Sequence, residues 1–149
     1  MPEPRLDVLG IGNAIVDVLC TTDDEFLRRH NLSKGSMTLI DSEQATLLYD
    51  QMGTAVEISG GSAANTIAGL ASLGGRTAFI GKVKNDQLGE IFAHDMRALG
   101  VHFDTRMAHS GPPTARSLIL ITPDAQRTMN TYLGACVTLG PDDVDEDLV

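Results

Sequence analysis

Residues 58–83, ISGGSAANTIAGLASLGGRTAFIGKV, constrain the fold more than any other stretch. An alternating run over 55–59 meets the pair Gly60-Gly61. Ser62 then offers an N-capping hydroxyl, and Ala63 and Ala64 favour helix, so the pattern predicts a strand, a tight turn and a helix start. Glycines let a backbone approach a bound molecule closely, and the first turn of a helix leaves amide N–H groups without internal partners. Asn65, one turn further on, carries a carboxamide that both donates and accepts, which suits a hydroxyl-bearing ligand. Two phosphate-binding glycine motifs are excluded. Gly69 and Gly74 have P-loop spacing, but Gly75 and Arg76 stand in the Lys and Ser/Thr places; Gly10-Ile11-Gly12 opens like a dinucleotide fingerprint, but Ile15 replaces its last glycine.

The flanking chain reads as alternating strands and helices. Residues 6–12 predict a buried parallel strand, 15–21 a second extended segment carrying Asp17, and 36–40 another, with a short helix between them capped by Thr22 or Asp23. Asp41 with Gln44 forms a capping box for a helix with Ala45, Leu48 and Met52 on one stripe. After the strand at 77–83, Asp86 caps a helix whose buried face is Leu88, Ile91, Phe92, Met96 and Leu99; 101–104 begins another strand. This rhythm predicts βαβ units and an α/β fold. Residues 114–122 and 127–133, joined by Pro123-Asp124-Ala125-Gln126, break it as an antiparallel hairpin. With the segments around Asp17 and Ser36, the hairpin forms a small separate sheet covering the glycine site. Met37 and Tyr132 are assigned to core packing, and the acidic residues after Pro141 to a first α-helical turn. A helix only begun at the last residues implies part of a longer polypeptide.

Composition narrows the function classes. At 149 residues the chain fits one domain, and a net charge of -9 without a Lys/Arg cluster argues against a nucleic-acid partner. No run approaches the ~18 apolar residues of a membrane span, and the N-terminal residues carry no signal core. Cys20 and Cys136 have no metal or redox spacing, the four histidines show no metal-ligand pairing, and a reduced cytoplasmic protein is expected.

Four motifs, GIGNAIVD, GGSAANTIAGLASLGG, GKVKNDQLGEIF and TARSLILITPDAQRTMNTYLGA, make the chain resemble the N-terminal half of the ribokinase-like, or PfkB, family of carbohydrate kinases, and within it the adenosine kinases. The resemblance implies a three-layer α/β/α sandwich with a small β-sheet lid from segments 13–21, 36–40 and 114–133, residues 1–149 being the N-terminal part of one kinase domain. It implies transfer of the γ-phosphoryl of ATP to a CH2OH group of a nucleoside or sugar. An adenosine-type nucleoside is favoured; a ribose- or fructose-type sugar, or a non-catalytic binding module, is the alternative. In that family Asp17 matches the aspartate that accepts from two ring hydroxyls. Gly60, Gly61, Ser62 and Asn65 match the turn that holds the sugar, Asn13 lines the same pocket, and Arg127 matches an arginine that neutralises phosphate charge during transfer. The family's Gly-Ala-Gly-Asp motif, with its catalytic base, has no counterpart here. Neither do its ATP, Mg2+ and K+ sites, so the chain alone is expected to transfer no phosphate. The implied state is a monomer or a lid-mediated homodimer.

Overall fold

The computed structural model describes residues 6–149; the N-terminal residues in which no signal core was expected lie mostly outside them. In chain order the elements are β1 (Val8–Ile11), β2 (Ile15–Thr21), α1 (Asp24–Arg29), β3 (Met37–Leu39), α2 (Ser42–Gln51), β4 (Ala55–Gly60), α3 (Ser62–Ser72), β5 (Thr77–Ile80), α4 (Gln87–Ala98), β6 (Ala115–Ile121) and β7 (Arg127–Tyr132). Short 3-10 turns complete the chain at Gly134–Thr138, Pro141–Asp143 and Glu146–Leu148. The strands form two sheets: β1 pairs with β5 in parallel, and five strands run in the order β3-β7-β6-β2-β4.

The helix starts follow from their capping side chains. Asp23 accepts from the Phe26 amide at 2.8 Å, Asp41 and Gln44 close a reciprocal box, and Asp86 accepts from the Gly89 amide at 2.9 Å. Asp86 does a second task. It also accepts from the backbone N–H and the hydroxyl of buried Thr114, at 2.9 and 2.6 Å, which ties the approach to β6 onto the start of α4.

One core lies between α3, α4 and the strands they cover. Phe79, Phe92 and Phe103 are fully buried at its centre, with ring centroids 5.2–6.3 Å apart. Val16 of β2 joins this core, and Val18 and Leu118 join a second one under α2. The glycines of β1 are there for packing: a side chain at Gly10 or Gly12 would collide with Ile67 or Ala63 of α3. That contact, and not a nucleotide, accounts for the Gly-x-Gly spacing. Lys82, after β5, is paired with Asp143, and both side chains are nearly buried. Cys20 and Cys136 are free and buried.

Several expectations need correction. Ser62 is not the N-cap of α3: Gly61 is, with φ of 95°, and no side chain caps that helix. The turn demands a positive φ one residue before the serine, which pushes Ser62 inside the helix. Residues 101–104 form no strand, only an isolated bridge between Ala78 and His102. The acidic tail winds as 3-10 turns, and Leu99, the C-cap of α4, is half exposed. Met37 is not core but 57% exposed, and Val8 and Ile11 of β1 are also exposed, because no described element covers those faces. The hairpin, β2 and β3 do share one sheet, but β4 belongs to it too, so that sheet runs directly into the diglycine.

Candidate functional site

The β-branched run of β2 places Asp17 near the middle of the five-stranded sheet. Alternation sends Val16, Val18 and Cys20 into the cores and turns Ile15, Asp17 and Leu19 to the opposite face. On that open face Asp17 lies beside Ile58 of β4 and Ser117 of β6, its partners in register. Large apolar side chains stand in the open on the same face: Val56 and Ile58 on neighbouring β4, and Met37 and Leu39 on β3, three strands away. An aspartate amid such a surface is out of place unless something polar is meant to meet it.

Five of the sequence-predicted residues meet at one spot. The Asp17 carboxyl rests directly over Gly60, where any Cβ would fall on its atoms. At Gly61 the chain takes its positive φ, and a Cβ there would stand 2.8 Å from the carbonyl oxygen of Asn13. Both glycines are therefore required, the first by the carboxylate and the second by the turn. Ser62, exposed, opens α3 and accepts from the Thr66 hydroxyl through its backbone carbonyl. Because α3 lacks a side-chain cap, its first amides open beside the Asp17 carboxylate without a side-chain partner.

Asn65 and Arg127 stand at the margins. Asn65 is exposed in the second turn of α3 and faces a hollow of about 400 Å3 shared with Ile58, Ser59 and Asp95; Asp17 is not among the residues lining it. Arg127 begins β7, two strands away from β2, and is exposed. It nonetheless acts on Asp17 through space. Burial pushes the Asp17 carboxyl above its ordinary range, and the Arg127 charge pulls it down without cancelling that rise. No hydrogen bond contributes to the balance, so Asp17 is a partly desolvated carboxylate with free acceptor capacity, the kind of group that gathers at functional sites.

Two further residues on this face escaped the sequence reading. Ser117, the register partner of Asp17, shares a 2.9 Å hydroxyl contact with Thr131. The available signal was alternation: in ARSLILI and RTMNTY, Ser117 and Thr131 stand at the positions that share a face with Asp17 once the strands are paired. Pairing could not be read from one strand at a time.

The arrangement can hold a pair of neighbouring hydroxyls: two carboxylate oxygens to accept, and amides at a helix mouth to donate. Among the described residues no group of three or more His, Cys, Asp or Glu could hold a metal ion, and none of the helices is long and apolar enough to cross a membrane.

The chain is similar to solved kinases along almost its entire length. The adenosine kinase from Sinorhizobium meliloti is 61% identical, with a TM-score of 0.90 over 97% of this chain and 44% of that one. A probable sugar kinase from Rhizobium etli CFN 42 is 56% identical, with the same TM-score and coverage. Adenosine kinase 2 of Arabidopsis thaliana is 28% identical over 135 residues, 87% of this chain and 39% of its own length. The chain thus spans well under half the length of these relatives, and its α/β architecture matches the corresponding part of the ribokinase-like fold. Since residues 28–149 match the model of the pfkB family of carbohydrate kinases, the chain belongs to that family.

Proposed function

We propose that this chain is the substrate-binding part of an ATP-dependent phosphotransferase that acts on the CH2OH group of a nucleoside, with adenosine the favoured substrate. The observation that carries the reading is the partnerless carboxylate of Asp17 seated over Gly60 at the mouth of an uncapped helix. A ribose diol would use both Asp17 oxygens; Gly61 and the start of α3 would hold the hydroxyls from the other side, with Asn13 and Asn65 at the rim. The exposed apolar side chain of Ile58, beside Asp17 in register, would accept the base. A deoxy analogue would leave one carboxylate oxygen unpaired, and sites of this kind reject such analogues by ~10⁴-fold. Kinship with an adenosine kinase supports the nucleoside; kinship with a probable sugar kinase supports a second reading, a free sugar bound by the same diol contacts.

Phosphoryl transfer needs more than these residues. Mg2+ would supply electrostatic relief of the phosphate charge, and among the described residues no group of three or more His, Cys, Asp or Glu would hold it. No Gly-Ala-Gly-Asp occurs in the sequence. This chain's own proposed share is to bind and orient the acceptor and exclude water from the apolar face, and the role proposed for Arg127 is to offset phosphate charge. We therefore expect binding without turnover from the 149 residues alone, in the cytoplasm.

Calorimetric titration of the chain with adenosine, 2′-deoxyadenosine, ribose and fructose tests the reading. Adenosine should bind most tightly and the deoxy analogue far more weakly. Binding only by free sugars would support the second reading, and ATP-dependent product from this chain would overturn the assignment of the catalytic base elsewhere.

A further inference from the structure

The back of the same sheet carries an opening that the diol site does not use. A cavity of about 390 Å3 lies between α2, the turn after α1 and β7. Its apolar walls include Leu32, Ile40 and Leu48, while His30, Gln51 and Asn130 bring polar groups to it. Alternation along β7 sets Asn130 opposite to Met129 and Thr131, so this cavity and the Asp17 face lie on the two sides of one sheet.

Asn130 is the anomaly. It is 2% exposed, and its carboxamide Nδ2 has no hydrogen-bond partner. Its register partner is the fully buried Leu118, and a leucine or valine would fill such a place at no polar cost. A buried amide left unpaired in the wall of an open cavity can turn its donor toward what enters the cavity. Among the described residues no Asp, Glu, Lys or Arg lines the space, His30 being the one titratable group there, so a charged ligand would shed its hydration with no carboxylate, ammonium or guanidinium to replace it. His30 is held by its ring contact with Phe26, centroids 4.3 Å apart, and adds an aromatic surface to the leucine walls. The volume falls within the ~300–1,000 Å3 range of small-molecule sites.

We infer that this cavity binds a neutral, planar heterocycle of nucleobase size, with the Asn130 amide donating to a ring nitrogen or carbonyl oxygen while the leucine and isoleucine walls cover its faces. The inference does not depend on the proposed diol site. A ligand here joins α2 to β7 and so acts on the sheet that carries Asp17 from behind.

The test is an NMR titration of the 149-residue chain, followed on backbone and side-chain amides, with adenine, uracil and nicotinamide as neutral planar probes and benzoate as a planar anion. At least one neutral probe should give saturable shifts at the side-chain amides of Asn130 and Gln51, and benzoate should give none. Asn130→Leu should weaken that binding by at least about tenfold. Leu47→Trp, at the exposed rim, should weaken it too without disturbing the core, and decides the matter if Asn130→Leu does not fold. Asp17→Asn should leave it unchanged. No saturable shift at millimolar probe, as a cavity holding only water would give, overturns the inference. So does equal binding of benzoate, binding indifferent to both cavity variants, or shifts centred on Asn13, Asp17 and Gly61.

Discussion

Replacing Asp17 by asparagine should move stability and ligand binding in opposite directions. In the ligand-free chain the carboxyl is partly buried and without a hydrogen bond, so its folded pKa lies above the ordinary 3.8. A carboxyl with a raised folded pKa binds protons more readily in the folded state, so between the two pKa values stability falls as pH rises. Above the folded pKa the full penalty of holding the charge is present. Asparagine escapes it: Asp17→Asn should be more stable than the parent at pH 7, the gap closing as pH falls toward 3.8. Binding behaves otherwise. Each hydroxyl bond to a carboxylate is worth about 1.5–3 kcal/mol and its neutral counterpart about 0.5–1.5, so two lose about 2–3 kcal/mol, or about 30- to 150-fold in affinity. Urea unfolding across pH 4–8 reads the first effect and adenosine calorimetry the second. Unchanged affinity, or a variant less stable at pH 7, would show that Asp17 is an ordinary structural acceptor and refute the reasoning.

The glycine pair separates two effects: Gly61→Ala should cost about 2–3 kcal/mol through its φ of 95° and its approach to Asn13, while Gly60→Ala should mainly displace the Asp17 carboxyl and abolish adenosine binding, both measured by thermal unfolding with and without ligand. Asp86→Ala should cost about 2–4 kcal/mol, a lost cap of about 1 plus unpaired buried groups of Thr114; Asp23→Ala, an exposed cap alone, should cost only about 1 in the same urea assay. Burial raises the Asp143 carboxyl, but the Lys82 ammonium and the Gly140 amide outweigh it and hold the group below its ordinary range. Its stability contribution is therefore present above 3.8 and lost as pH falls through the lowered pKa. Lys82→Met should cost about 3 kcal/mol and remove much of that acid-side slope in urea titrations from pH 7 down to about 2.5.

Local signals were legible wherever a single residue's chemistry decides a local structure. Asp41 with Gln44, Asp23 and Asp86 mark helix starts because a side-chain oxygen within three residues satisfies a free amide, and no distant residue is needed. The alternation that turns Asp17 away from Val16 and Val18, and the proline turn between β6 and β7, are local in the same sense. Ser62 misled because its capping propensity is real, yet the backbone sign change falls at Gly61, where the Asn13 carbonyl also leaves no room for a side chain. Tertiary structure decided everything that depends on which strands lie side by side: that β4 joins the sheet of β2, that Ser117 stands next to Asp17, that Met37 is exposed and that Asn130 backs onto a cavity. The sequence carries the period of each strand, but register and neighbour are set by burial summed over the whole sheet, a quantity no single segment contains.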